Sequence, residues 1–65
     1  MRERSKVMWF NPEKGFGFIK RMGMPDVFVH VSSLQGIETL EANQWVEFEV
    51  IQTRKGLQAV NVTPV

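Results

Sequence analysis

Seven aromatic side chains and a single histidine are the residues of this 65-residue chain whose chemistry most suggests a function. Five are Phe and two are Trp, and they are unevenly distributed. One group lies with glycine and lysine between Lys14 and Ile19, and another alternates with valine between Val27 and Val31. Flat π-faces can stack on unpaired bases, and a neighbouring ammonium group can meet a phosphate. The pattern therefore favours a surface that stacks nucleic-acid bases.

The composition argues against catalysis and metal binding. The chain has no Cys, which excludes disulfides, thiolate catalysis and Cys-based zinc sites, and one His cannot form a His-rich metal site. Because His30 has no nucleophile or carboxylate at a defined spacing, we expect no enzyme activity, no metal and no cofactor. No run of about 18 apolar residues is present, so we expect no membrane span and a cytoplasmic protein.

The overall charge adds little to nucleic-acid binding. Eight Lys and Arg residues face seven Asp and Glu residues, which leaves a formal net charge of +1. Long-range attraction to a phosphate backbone is correspondingly weak. Binding energy would then have to come mainly from the aromatic side chains.

The spacing of turn residues predicts one domain, residues 1–65, built from short strands. No stretch carries a sustained helical period, and Gly, Pro and Asn separate the β-type runs. A Ser-capped single turn is predicted at 32–36, and an irregular linker at 37–44. The predicted strands are 6–11, 15–20, 27–31, 45–51 and 57–62. Five short strands favour a small barrel or sandwich.

Side-chain parity sorts these strands into an apolar face and an aromatic face. The predicted core consists of Val7, Ile19, Val27, Val29, Val46, Phe48, Val50, Val60 and Val62. Phe16, Phe18, Phe28 and His30 then remain on the opposite faces of two neighbouring strands. Large aromatics on a solvent face usually mark a binding surface. A register slip of one residue would invert this assignment, so a core role for these rings stays open.

Two segments carry a resemblance to a known family. Lys14–Ile19 resembles the first ribonucleoprotein motif and Val27–Val31 resembles the second. With Trp9-Phe10-Asn11 and the segment 58–62, the chain resembles a bacterial cold-shock protein from Lys6 to Thr63. The resemblance implies an all-β fold, a small five-stranded antiparallel β-barrel of the oligonucleotide-binding type. It also implies pyrimidine-rich single-stranded RNA and DNA as ligands, RNA-chaperone activity, and effects on transcription antitermination or translation.

The same resemblance implies roles for nine residues. The stacking platforms would be Trp9, Phe16, Phe18, Phe28 and His30. Lys14 would meet the phosphate backbone, while Asp26 and Gln58 would hydrogen-bond base edges. Lys55 stands where the family often has a basic contact residue.

Four positions depart from the family pattern. Met8 replaces a usual surface Lys, Val31 replaces an aromatic, and Leu57 occupies a common Pro site. The segment after Gly36 is about two residues short, so Ile37 only roughly replaces an aromatic there. At about 1–3 kcal/mol per stacked base, we expect binding that is weaker, or covers fewer nucleotides, than in the family generally.

A protein-interaction module remains the alternative, with the aromatic face meeting a partner chain or a second copy. Trp45 shares the outer face of its strand with Glu47 and Glu49, so we expect nucleic acid to avoid it. Its expected role is to cap the barrel edge or pack on a loop, and otherwise to contact a protein. For the binding module itself, a monomer is expected.

Overall fold

The computed structural model describes residues 2–65, which form a closed barrel of five strands. The strands are β1 (Glu3–Asn11), β2 (Phe16–Arg21), β3 (Met24–His30), β4 (Trp45–Thr53) and β5 (Gly56–Pro64). Their order around the barrel is β1-β2-β3-β5-β4. This confirms the predicted all-β, five-stranded barrel. No helix within residues 2–65 has the length and apolar character needed to cross a membrane.

One pair of neighbouring strands is parallel. β3 and β5 run in the same direction, with Phe28 opposite Gln58 and Val29 opposite Ala59, whereas the other four pairs are antiparallel. A closed ring with an odd number of strands cannot reverse direction at every neighbour. The family expectation of an antiparallel barrel therefore holds for four of the five pairs.

The segment after β3 differs from the predicted Ser-capped turn. Val31–Ser33 form one turn of 3₁₀-helix, and its N-cap is His30. The imidazole Nδ1 accepts a hydrogen bond from the backbone N–H of Ser32 at 3.1 Å. The prediction of a serine cap was wrong because a histidine nitrogen can satisfy the same free N–H groups that a serine oxygen usually does.

The core differs from its predicted membership in β4, in β5 and in the segment before β4. The fully or nearly buried apolar side chains are Val7, Ile19, Val27, Val29, Leu40, Val46, Phe48, Ala59 and Val62. Val50 and Val60 are only half-buried. Asn61, at φ 52°, forms a bulge, since Glu47 pairs with Thr63 but Glu49 pairs with Val60. The extra residue breaks strict alternation in β5, and this was not visible in the sequence.

The backbones of β1 and β2 approach each other closely at Gly17. A Cβ atom at this position would lie 2.2 Å from the carbonyl oxygen of Trp9 and 2.7 Å from Cα of Phe10. Both neighbours are backbone atoms, so no side-chain rotation could relieve the contact. Glycine is therefore required here for the β1–β2 pairing.

Arginine–glutamate pairs tie β1 to its neighbours. Arg21 Nη2 lies 2.7 Å from Glu3 Oε2, and the Arg21 side chain is largely buried. The hydrogen bond from Arg21 lowers the pKa of Glu3 below its ordinary value. Arg4 and Arg2 hydrogen-bond to Glu47 across the β1–β4 pairing and lower the pKa of that carboxyl as well.

Replacement of Gly17 by Ala is expected to destabilise the barrel strongly. Overpacking against fixed atoms typically costs about 1–3 kcal/mol, and a clash with backbone belongs at the upper end. Urea unfolding of the variant measures the loss. Gly23→Ala is the control, since nothing lies within 4 Å of its added Cβ and only the positive φ of 68° opposes it. Equal losses in the two variants would contradict the steric explanation.

The lowered pKa values of Glu3 and Glu47 predict loss of stability in acid. Both carboxylates are charged in the folded state to a lower pH than in the unfolded chain, where a Glu titrates near about 4.3. Their contribution is therefore present above that pH and lost as the pH falls through the folded-state pKa. Unfolding free energies measured from about pH 7 to pH 3 should fall, and Glu3→Gln should flatten the decline. An unchanged pH profile in Glu3→Gln would refute the role of the Arg21 pair.

Candidate nucleic-acid interface

Four aromatic rings form a closed circuit of contacts on the barrel surface, here called the four-ring patch (Trp9, Phe16, Phe18 and Phe28). Trp9 lies 5.8 Å from Phe16 and 5.4 Å from Phe18, measured between ring centroids. Phe28 lies 6.0 Å from Phe16, nearly parallel to it, and 5.9 Å from Phe18, edge to face. Offset and edge-to-face pairs at these distances stabilise each other. Each ring is thus held in place by two others.

The strand register explains why these rings meet. Trp9 of β1 stands opposite Phe18 of β2, and Phe18 stands opposite Phe28 of β3. Side chains directly across neighbouring strands project from the same face of a sheet. Met8 is the extra residue of a bulge between Val7 and Trp9, so Trp9 points outward although Val7, two residues earlier, points into the core.

The patch is partly open to solvent. The side chain of Trp9 is 42% exposed, and the three Phe rings are half-buried, although the core is closed by other residues. The rings therefore offer faces and edges to a ligand while their inner sides rest on the barrel. The parity assignment from the sequence agrees with this arrangement.

His30 stands next to the patch with one nitrogen already committed. It is directly opposite Phe16 in the β2–β3 register. Nδ1 accepts from the Ser32 N–H, and the Ser32 hydroxyl oxygen lies 2.8 Å away from the same nitrogen. These contacts with Ser32 hold the imidazole ring in place beside Phe16 and leave Nε2 on the far side of the ring.

A cavity of about 440 Å³ adjoins the patch at the β3–β5 contact. It is lined by Phe18, Asp26, Phe28, Thr53, Lys55, Leu57 and Gln58. The two adjoining rings offer apolar surface to a base, and the carboxylate, amide and ammonium groups can hydrogen-bond its edge. The parallel pairing of Phe28 with Gln58 brings the two halves of this cavity together.

Thr53 and Leu57 are cavity residues that the sequence did not indicate as binding residues. Leu57 stood out only as a replacement for a common Pro. Thr53, which was not singled out, stands at the turn between β4 and β5. Thr53 Oγ1 donates to the carbonyl oxygen of Gly56 at 2.8 Å and closes that turn. Their place in the cavity depends on the long-range β3–β5 pairing, which no local pattern reveals.

Lys14 lies on the turn between β1 and β2, directly before the patch. Asn11 Oδ1 accepts hydrogen bonds from the backbone N–H groups of Glu13 and Lys14, each at 3.0 Å. The N–H of Gly15 donates to the carbonyl of Asn11 at 2.8 Å. The turn is therefore well defined, and it presents the exposed Lys14 beside Phe16. All nine site residues predicted from the sequence thus lie in or next to the patch and cavity.

Two of the positions that depart from the family pattern are exposed, and a third packs against the core. Met8 is 39% exposed and Val31 is 37% exposed. Ile37 packs against the core instead of standing out as a platform. Met8 and Val31 therefore expose apolar side chains where the family pattern has a cation and an aromatic ring. The segment after Gly36 adds no aromatic ring for stacking.

Trp45 lies half-exposed at the start of β4. Its side chain is 49% exposed, and Lys6 of β1 places its Nζ 5.6 Å from the ring centroid. Lys6 and Trp45 are direct cross-strand partners. The indole is therefore an exposed surface group with a cation above it.

The sequence matches the family model of the 'Cold-shock' DNA-binding domain over residues 3–65. It is 53% identical to cold shock protein CspB of Bacillus caldolyticus over 62 residues, which cover 92% of this chain and 94% of that protein. It is 54% identical to cold shock-like protein CspD of Bacillus cereus over 63 residues, 94% of this chain and 96% of that one.

A solved structure shares the fold at lower identity. Drosophila Unr CSD456 superposes with a TM-score of 0.82 and 25% sequence identity over 100% of this chain, which spans 27% of that larger one. Three observations indicate the same family: the barrel fold, the two ribonucleoprotein-like segments, and the high identity over nearly the full length of the bacterial proteins. The chain belongs to the cold-shock DNA-binding domain family.

Proposed function

We propose that this chain binds single-stranded RNA and DNA by stacking bases on the four-ring patch, without a chemical step. The observation that carries the proposal is the circuit of four mutually supporting rings on an open barrel surface, next to a cavity with polar edges. Rings held in place in this way lose little conformational freedom when a base stacks on them. Each stacked base contributes roughly 1–3 kcal/mol.

The nine predicted residues have distinct parts in this proposal. The rings of the patch and His30 stack on bases. Lys14 and Lys55 meet phosphates, and Asp26 and Gln58 hydrogen-bond base edges inside the cavity. Pyrimidine-rich strands are the expected ligands, as the resemblance to cold-shock proteins implies.

The distribution of charge supports phosphate contact despite the small net charge. Within residues 2–65, the ion pairs join Arg2, Arg4 and Arg21 to glutamates, and no lysine takes part. Lysine ammonium groups are therefore left to meet phosphates. Two or three such contacts would give a slope of about −1.4 to −2.1 for log affinity against log salt.

A homodimer through the same patch is less well supported. Closing two copies over the patch would bury the polar groups of Asp26, Lys55 and Gln58 at its rim. Buried polar groups without partners are costly, and a buried unpaired charge more so. Base edges and phosphates satisfy these groups directly, so the proposal is a monomer acting as one domain.

Melting of weak RNA structure follows from selective binding. A protein that binds unpaired strands and not duplexes shifts the equilibrium toward the unpaired state by mass action. The proposed function therefore includes RNA-chaperone activity of this kind in the cytoplasm. It would affect transcription antitermination or translation in the cold.

A Phe16→Ala/Phe28→Ala double variant is expected to lose about 30-fold or more in affinity for a short oligo-thymidine. Two stacking platforms at a minimum of ~1 kcal/mol each correspond to that factor. Quenching of tryptophan emission measures binding at low and high salt, and circular dichroism confirms that the barrel is folded. Met22→Ala is the control, because its side chain is 89% exposed at a hairpin tip away from the patch. A folded double variant with unchanged affinity would rule out the stacking surface.

Met8→Lys is expected to tighten binding at low salt and to make the log–log salt slope steeper by about 0.7, the value for one additional phosphate contact on a single strand. Met8→Gln controls for the loss of the apolar side chain without adding charge. Titrations at several salt concentrations separate the two effects. Identical slopes for the Lys and Gln variants would show that position 8 does not face the phosphate backbone.

A further inference from the structure

The exposed surface of β1 continues beyond the four-ring patch toward β4. Lys6, Met8 and Trp9 are all exposed, and Lys6 pairs directly with Trp45 on β4. The bulge at Met8 turns both Met8 and Trp9 outward. At about 3.3 Å per residue, Lys6 lies roughly 10 Å from Trp9 along the strand. Met8 is exposed between these two positions along β1.

Trp45 has the two features of a stacking position. Its side chain is 49% exposed, which leaves ring surface open to a base. Lys6 Nζ lies over the ring, 5.6 Å from its centroid. A base that stacks on this face would displace the flexible lysine side chain, which could then meet the phosphate of the same nucleotide. An aromatic face with an adjacent cation is the combination that non-specific single-strand binding uses.

The acidic residues of β4 do not oppose a nucleic acid here. Glu47 hydrogen-bonds to Arg4 and Arg2. Glu49 lies 3.6 Å from the Arg2 guanidinium and accepts from the side chain of Asn61 at 2.8 Å. Arginine side chains neutralise the charges of both glutamates. The expectation that nucleic acid avoids Trp45 assumed that these glutamates were unpaired.

We propose that Trp45 and Lys6 form an additional stacking position for the same single strand that binds the four-ring patch, and that only longer ligands reach it. The inference rests on the proposed function. Its occupant is nucleic acid because the position lies beside the patch on the exposed side of β1, and because Lys6 gives it the charge that phosphate requires. This position partly compensates for the ring and cation that Val31 and Met8 do not supply.

Single-tryptophan variants test the proposal with oligo-thymidines of about four and about ten nucleotides, within the range of site sizes known for this fold. In Trp9→Phe, the remaining emission comes from Trp45, and the ten-nucleotide ligand should quench it while the four-nucleotide ligand should not. In Trp45→Phe, the emission of Trp9 should respond to both.

Affinity provides the second measurement. Trp45→Ala should weaken binding of the ten-nucleotide ligand about fivefold or more, the factor for one stacked base, and leave the four-nucleotide ligand unchanged. Lys6→Gln should make the salt slope shallower for the long ligand only. Met22→Ala is the control for removal of an exposed apolar side chain.

Two results would overturn the inference while leaving the proposed function intact. One is Trp45 emission that does not change with the ten-nucleotide ligand although Trp9 in Trp45→Phe is saturated. The other is a Trp45→Ala variant with unchanged affinity but loss of a dimer seen by sedimentation, which would assign Trp45 to a protein contact. Absence of quenching at both tryptophans in a folded protein would refute the proposed function itself, and the inference with it.

Discussion

The close approach of the β1 backbone to Gly17 is the contact on which the binding surface depends. With no Cβ at this position, the carbonyl of Trp9 and Cα of Phe10 sit where a side chain would otherwise stand. The Trp9 ring can then rest against its two Phe neighbours on β2 at centroid distances of 5.8 and 5.4 Å. A wider β1–β2 spacing would separate the rings and leave each of them as an isolated exposed hydrophobe. Glycine in this motif thus acts through the backbone on the geometry of the aromatic side chains.

Two irregularities in the strands adapt a regular barrel to this surface. The bulge at Met8 lets β1 contribute Val7 to the core and Trp9 to the outer face. The bulge at Asn61 lets β5 contribute both Ala59 and Val62 to the core. An extra residue re-aims side chains without breaking the barrel, because pairing resumes on either side of it. A small core can then be closed by aliphatic residues and Phe48, and the four rings of the patch remain available outside.

Arginine side chains of this protein form ion pairs with glutamates, and the excess of positive charge is small. Arg2, Arg4 and Arg21 form ion pairs with glutamates of β1 and β4. In the proposed mode of binding, the phosphate contacts fall to lysines on turns and on the exposed face of β1. A chain with a net charge of only +1 can then present cations locally. Since stacking is proposed to supply most of the binding energy, a few such contacts are sufficient to orient a strand.

The sequence by itself determined where the strands lie, where the two aromatic motifs are, and on which side of the sheet their rings project. These features follow from period-two alternation and turn residues, which act locally. Only the tertiary structure decided the parallel β3–β5 pairing, and with it the cavity that adds Thr53 and Leu57 to the site. It also decided that Leu40 completes the core and that the glutamates beside Trp45 are neutralised. Each of these features depends on contacts between residues that are far apart in the sequence. A one-residue bulge changes which residues pair across two strands, and the local sequence pattern does not reveal it.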